Sequence, residues 1–495
     1  MFKDLKNLRA ALEKKEDKFW LNEGEKMALR LFGMASARVP AYRDFLKINK
    51  INPAKIRTIA DFGKIPHINK KNYLLRYPLE KLCWDGEIAS SDMISLSSGS
   101  SGEPFFWLRS KEHERETMLD HEMLLVDSFG INKHSTLFIV SFSMGMWVAG
   151  TLTHRAVQDI ASRYKMTVIT PGINKNDVLN IIKKLGSKYE QIVIAGYPPF
   201  VKDIIDGGST NGIEWKKLKV KFLFAAEAFS EKWRDYMYKQ VGARNPLKDS
   251  LNIYGTADAL ILGHETPLSI LIRRLANKNK DGLYKDLFKY DARVPTLVQY
   301  NPSSKYFESI NGSLIFSAFS GIPLIRYEIG DSGDIVPYDN MAVLLKKYRI
   351  DLKKEARLAG ISNWKLPFLY VYGRNDLTAS LYGINIYPEN IRDALTKESI
   401  EREISGKFVM STRNDKQMNQ YLETIIELKD GVIETSLNLE KKVKATIVKV
   451  LKQRNKEYNE LYGSLGSRVE PQVKLCQYGH KDYFPLGAKQ KWHKK

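Results

Sequence analysis

The sequence predicts an α/β protein: a large unit of α/β layers with a β-rich subdomain, followed by a small α+β C-terminal unit. Three observations predict it. Between residues 136 and 255, short apolar runs ("TLFIV", "QIVIAG", "KVKFLFAAE", "SLNIYG") alternate with helix-patterned stretches such as "NKNDVLNIIKKLG" and "SEKWRDYMYKQVG". That alternation is the mark of a helix-covered core with parallel strand pairing. Then "TLVQY", "SLIFSAF" and "GDIVP" bring strand after strand. Beyond "YGRND" at 372–376 the pattern changes to a Lys-rich mixture of helix and strand. A chain of 495 residues exceeds what a single core of ~250–300 residues accommodates.

Taken in order, residues 20 to about 90 read as helices and turns, punctuated by Pro40, Pro53, Pro66 and Pro78. Next comes "SLSSGSSGEP" at 95–104. By composition it is a flexible linker, but "DMIS" before it and "PFFWLRS" after it place it between strand-like segments. A long helix, "KEHERETMLDHEMLLVDSFG", is closed by Gly130. Residues 135–153, "STLFIVSFSMGMWVAGTLT", are uncharged and long enough for a bilayer span. Only "LFIV" is densely apolar, and Ser141, Ser143, Gly145 and Gly150 interrupt the rest, so a buried strand, a turn and a helix start are expected. The stretch "LLKKYRIDLKKEARLAG" reads as an exposed helix. No internal repeat is visible.

Bulk properties narrow the function classes. Two cysteines, Cys83 and Cys476, make no disulfide framework, and no CxxC or HExxH signals zinc. The start "MFKDLKNLRAALEKKEDKFW" is charged throughout, unlike a secretory signal, and a cytoplasmic location is the expectation. The net charge of +21 favours anionic ligands. Its lysines are spread along the chain without a zinc finger or RNP motif, so no specific nucleic-acid partner is expected. Oligomeric state is not legible.

In α/β folds, ligands sit where strand ends meet loops and helix N-termini, and four loops occupy such places. In the Ser/Gly stretch, Gly99 and Gly102 let backbone N–H groups turn inward, and Ser97, Ser98, Ser100 and Ser101 add hydroxyls. Such a nest suits phosphate, although the GK(S/T) of a Walker loop is missing. In "AAEAF", Glu227 fits either a purine or sugar contact or a solvated loop carboxylate. In "NIYGTADA", Tyr254 offers a stacking face, Gly255 close approach, Thr256 a hydroxyl and Asp258 a hard oxygen ligand of the kind Mg²⁺ takes alongside phosphates. In "PLIRYEIGDSGD", Asp331 stands ready to accept both ribose hydroxyl protons, or marks a plain hairpin turn.

In this order the four loops resemble the adenylate-forming superfamily, specifically its phenylacetate–CoA ligase-like branch. The Ser/Gly loop through Pro104 is similar to the family's phosphate loop, "AAE" stands for its GAE, and "YGTAD" for its YGxxE. "IPLIRYEIGD" is similar to PxxRYxxGD, and "GRNDLTASLYGINIYP" to the hinge pattern GRxDDxxxxxGxNxxP. "VPAYRDFL" and "IPHINKKNYLLRYP" extend the resemblance, which runs from about residue 27 to near the C terminus. Three positions depart from the pattern. Asp258 replaces a Glu, Leu377 replaces the second hinge Asp while Asp376 remains, and the terminal GK appears as "PLGAKQKW". There Lys489 aligns with the family's lysine and Lys491 is the second choice.

The resemblance implies two units, 1–373 for adenylation and a mobile lid at 377–495, with a hinge at 374–376 carrying Arg374 and Asp376. It implies ATP, Mg²⁺ and coenzyme A as cofactors. A small carboxylic acid attacks the α-phosphate of ATP, pyrophosphate leaves, and a thiol then displaces AMP. Neither step needs a protein nucleophile, because positioning and charge stabilisation carry phosphoryl chemistry. On this reading the Ser/Gly loop cradles phosphates, Asp258 holds Mg²⁺ and Lys489 neutralises developing charge. Gly383 opens a segment used near the acceptor channel. By position, Phe142, Trp147, Tyr197 and Ala259 line the acyl pocket, and their aromatic character points to an aryl or medium apolar acid. Transfer to an acidic carrier protein or an amine, and a catalytically impaired nucleotide-binding scaffold, are the rival expectations.

Overall fold

The helices Leu5–Lys14, Asp17–Arg38 and Pro40–Ile48 begin the chain, in a computed structural model. It describes the sequence apart from residues 1, 3, 90, 92, 98–104, 290–293, 375–378, 396, 430–431, 433–436 and 485–495, and the side chains of 374, 389 and 437. Pro40 occupies the first turn of its helix, where a missing N–H costs nothing. The aromatic face of this region, Phe32, Tyr42, Phe45 and Tyr73, joins Trp107, Phe316 and Tyr327 in one apolar cluster. Strands β1 (Met93–Leu96) and β2 (Phe106–Arg109) pair antiparallel around residues 98–104. Flanking that segment, the Ser97 N–H donates to the Phe105 carbonyl at 3.1 Å.

The predicted alternation is realised as β3 (Thr136–Ser141), β4 (Met166–Ile169), β5 (Gln191–Gly196), β6 (Val220–Ala225) and β7 (Ser250–Thr256). They lie in the order β4-β3-β5-β6-β7, and each adjacent pair is parallel. Every residue of β3 and β5 is buried, as a sheet covered on both faces requires. The chain passes from β3 to β4 on one side and returns to β5 on the other, so strand order reverses between β3 and β5. Residues 135–153 are thus strand β3, a turn with Gly145 at φ +76°, and the start of the helix Val148–Ala161. No described helix is long and apolar enough to cross a membrane.

The β-rich subdomain continues the same sheet. Its strands are β8 (Leu260–His264), β9 (Thr296–Gln299), β10 (Lys305–Ile310), β11 (Ser313–Ala318), β12 (Leu324–Val336) and β13 (Phe368–Arg374). All pair antiparallel, completing an 11-stranded sheet. Its joint is narrow: β8 meets β9 through the single pair His264–Gln299. The Gln299 amide reinforces it, accepting from the Thr266 hydroxyl at 2.7 Å and donating to the Trp364 and Leu366 carbonyls. The predicted exposed helix at 344–360 is instead two helices, Tyr338–Lys347 and Leu352–Leu358. Arg349 at φ +61° breaks the run, Asp351 caps the second helix, and Met341, Leu345, Leu352 and Ala356 bury one face.

Beyond residue 378 lie the hairpin β14 (Ala379–Leu381) and β15 (Ile384–Ile386), then the sheet of β16 (Ile404–Asn414), β17 (Gln420–Leu428) and β18 (Gln472–Cys476). The helices Pro388–Leu395, Leu437–Arg454 and Lys456–Leu465 accompany them. The apolar core runs from the parallel sheet into this region through Tyr382, Ile384 and Ile386. Asp203 ties the two parts, accepting from the Tyr382 hydroxyl and the Arg468 guanidinium, each at 2.9 Å.

Candidate active site

The carboxyl ends of β3, β5, β6 and β7 open into one cleft of about 1880 Å³. Ser143 and Trp147 follow β3 into it, Tyr197 and Pro198 follow β5, residues 225–229 follow β6, and residues 254–258 end β7. Asp331 enters from β12, and Gly383, Asn385, Gln420 and Glu457 close the far wall.

The turn from β7 to β8 sets the acidic end. Gly255 is required by the chain itself, since a Cβ there would lie 2.9 Å from the Leu260 carbonyl. The Thr256 hydroxyl accepts from the Ala259 N–H at 3.1 Å. Asp258 is 5% exposed, and its carboxylate accepts from the Tyr327 hydroxyl at 2.7 Å. Arg109, wholly buried, donates to the Ser95 hydroxyl and to the Ala257 carbonyl. Burial pushes the Arg109 guanidinium down to about 9, with Asp258 and Glu114 opposing the shift. Asp331 is equally buried, and the Tyr254 hydroxyl donates to it at 2.6 Å. Backbone pairing of β12 with β13 sets Asp331 opposite Arg374.

Glu227 lines the cleft and is half-buried. Its carboxylate accepts from the Gly383 N–H, the Ser380 hydroxyl and the Gln420 amide, all beyond residue 378. Burial raises its pKa, and those hydrogen bonds oppose the rise. Trp147 and Tyr197 line the cleft. The Trp147 indole donates to Glu460 at 2.7 Å, and Tyr197 packs edge-on against Phe142 at 5.0 Å. Phe142 and Ala259, expected on the pocket wall, are packed in the apolar cores behind it. Neither lines the cleft.

Among the described residues, four buried polar atoms of cleft-lining side chains have no hydrogen-bond partner: Ser97 Oγ, His121 Nε2, Asn252 Oδ1 and Glu457 Oε2. Buried polar groups are normally paired, so these are the points at which the cleft asks for a ligand. Sequence reasoning named Ser97 and missed the other three. Asn252 had a signal, standing two residues before the strand-end tyrosine, and its amide N–H₂ is spent on the Glu227 carbonyl at 2.9 Å. His121 and Glu457 lay inside helical patterns with nothing local to mark them. Burial takes His121 down to about 4 and Glu457 up to about 8. Ser98, Gly99, Ser100, Ser101, Gly102, Asp376, Lys489 and Lys491 lie outside the described residues, as does the Arg374 side chain.

No protein-family model matches the chain. It is 18% identical over 400 residues to the phenylacetate–coenzyme A ligase of Aromatoleum evansii, covering 78% of this chain and 76% of that one. It is 22% identical over 376 residues to the enzyme of that name from Thermus thermophilus, covering 75% and 74%. Among solved structures, a 2-hydroxyisobutyryl-CoA ligase with its acyl-AMP and CoA in the thioesterification state superposes with TM-score 0.67. That match has 14% identity and covers 98% of this chain and 91% of the other. The same ligase in its postadenylation state gives 0.53. The chain therefore has the fold of these ligases and resembles the phenylacetate–CoA ligase-like branch of the adenylate-forming superfamily.

Proposed function

We propose that this chain is an AMP-forming acid–thiol ligase, which activates a small carboxylic acid as its acyl-adenylate and passes the acyl group to coenzyme A. One observation carries the reading: Asp258, buried in the turn between β7 and β8, and Asp331, buried on β12, share a cleft with Ser97, which precedes the Ser/Gly segment. In this assignment Asp331, held by Tyr254, receives the ribose hydroxyls. Tyr254 offers its ring to the base, and the acceptor Oδ1 of Asn252 takes an exocyclic amine. Residues 97–102 enclose the phosphates with backbone and hydroxyl donors.

Mg²⁺ fits the Asp258 corner. Mg²⁺ binds through one or two carboxylates plus phosphates rather than an all-protein cage. The described residues offer no cluster of three metal-ligating side chains, so Asp258 would hold the ion together with the nucleotide. Bound there, it would neutralise phosphate charge. The protein's share of the work is positional: the acid's carboxylate is held in line with the α-phosphate, and water is kept out by Trp147 and Tyr197.

We further assign two units, 1–373 and 377–495, pivoting at 374–376, with Lys489 supplying charge during adenylation. The clasp of Gly383, Ser380 and Gln420 on Glu227 supports an arrangement suited to the thiol step. The test is carboxylate-dependent exchange of pyrophosphate into ATP across a panel of acids, followed by detection of the CoA thioester. Exchange without thioester formation would retain the adenylation half and reject CoA as acceptor. Absence of exchange with every acid would reject the ligase reading.

A further inference from the structure

One wall of the cleft carries a polar group that the two half-reactions leave unused. His121 lies on the helix Lys111–Leu124, which the sequence marks only as helix. It is 1% exposed and lines the cleft. Its Nδ1 lies 2.8 Å from the Thr117 carbonyl, and a carbonyl oxygen can only accept, so Nδ1 carries the proton. A neutral imidazole has one N–H, and here that N–H is already spent. Nε2 is therefore a bare acceptor, and it has no partner. Burial keeps the ring neutral at physiological pH, so Nε2 does not become a donor. Leu152, Leu260, Ile261 and, at the end of β6, Ala225 line the same cleft and supply apolar wall.

An acceptor buried without a partner costs about 1–3 kcal/mol unless something donates to it. A pocket with substantial apolar wall uses its few placed polar groups to orient its ligand. The carboxylate of the acid belongs at the phosphate end, near Asp258, which leaves its tail for this corner. We propose that the acid taken by this cleft carries a hydroxyl or N–H donor remote from its carboxylate, and that Nε2 of His121 receives it. The inference rests on the ligase reading and narrows its substrate class. It disfavours acids with a purely hydrocarbon tail and acids with a tail that can only accept, such as an ether or nitro group.

The experiment measures acid-dependent pyrophosphate exchange by the full chain with matched acids differing only in the donor. Suitable pairs are 4-hydroxyphenylacetate with 4-methylphenylacetate, 3-hydroxyphenylacetate with 3-methylphenylacetate, 6-hydroxyhexanoate with heptanoate, and indole-3-acetate with its N-methyl form. For at least one pair the donor-bearing member is expected to have a kcat/KM about 10–100-fold higher, the range that leaving a buried acceptor unpaired implies. His121→Phe keeps the ring volume without the acceptor and is expected to bring the two members within about 3-fold. His121→Gln, whose amide oxygen can take the place of Nε2, is expected to restore part of the preference. A structural role for His121 would lower both members equally and leave their ratio unchanged. Equal use of both members of every pair by the wild type, or a preference that survives in His121→Phe, would overturn the inference and leave the ligase reading standing. Should His121→Phe fail to fold, the wild-type ratios decide alone. No exchange with any acid would overturn both.

Discussion

At the scale of single residues, the two jobs proposed for the acidic end of the cleft have different signatures. Asp258→Asn keeps the shape and the Tyr327 hydrogen bond but removes the charge a hard cation needs. It is expected to cut exchange by about 10²–10³ with little change in melting temperature, and steady-state exchange against Mg²⁺ concentration checks it. Asp331→Ala removes the partner of Tyr254 and the proposed ribose acceptor. Its effect is expected mainly in the KM for ATP, raised roughly 10–100-fold, with Tyr254→Phe a milder version. Glu457 adds a pH signature. Its carboxyl is raised from an ordinary 4.5 to about 8, chiefly by burial, so the folded state holds a proton that the unfolded chain releases. Its favourable contribution is full below pH 4.5, is lost as pH rises towards 8, and is constant beyond. The loss is at most about 1.4 kcal/mol per pH unit. Glu457→Gln is therefore expected to gain stability relative to the wild type from pH 5 to 8. Melting curves across that range check the sign; a difference that is flat with pH would reject the assignment.

At the scale of elements, the hairpin of β14 and β15 is built for one docking geometry. Its two turn residues, Tyr382 and Gly383, sit at φ +51° and +81°, the handedness that matches a two-residue turn to twisted strands. A tyrosine at positive φ is strained, and three-dimensional partners hold it there. Its N–H donates to Gln420 at 2.7 Å and its hydroxyl to Asp203. Gly383 has no alternative, because a Cβ would lie 2.4 Å from the Tyr197 ring and its N–H is bound to Glu227. Gly383→Ala is expected to spare pyrophosphate exchange and slow thioester formation from supplied acyl-adenylate at least about 10-fold, since the clash exists only while this hairpin is docked. Single-turnover assays of each half-reaction decide it; equal loss in both would mean a folding defect instead. The sequence analysis named Gly383 but not the hairpin, and the residues it docks against were not legible, because they lie in another part of the chain.

At the scale of the whole molecule, alternation between two arrangements of the 377–495 unit remains our proposal, and half-reactions test it. Lys489→Ala is expected to suppress exchange yet convert supplied acyl-adenylate to thioester. Asp376→Pro, which locks φ at the pivot, is expected to do the reverse. Loss of exchange in Lys491→Ala with Lys489→Ala normal would transfer the role to the neighbouring lysine. By itself the sequence determined the α/β class, the alternation of helices and strands and the strand in 135–153, and it nominated the loops proposed here to carry chemistry. These depend on periodicity and turn chemistry within about 20 residues, and local rules suffice for them. Only the tertiary structure decided that the antiparallel strands extend the parallel sheet through one His264–Gln299 pair, and that the helix at 344–360 breaks at Arg349. It alone turned Glu227 towards Gly383, withdrew Phe142 and Ala259 into the cores, and left His121 Nε2 bare in the cleft. The physical reason is common to these cases. Whether a polar atom is paired, and whether an apolar side chain is wall or core, depends on neighbours brought together from distant parts of the chain, and no window of sequence contains them.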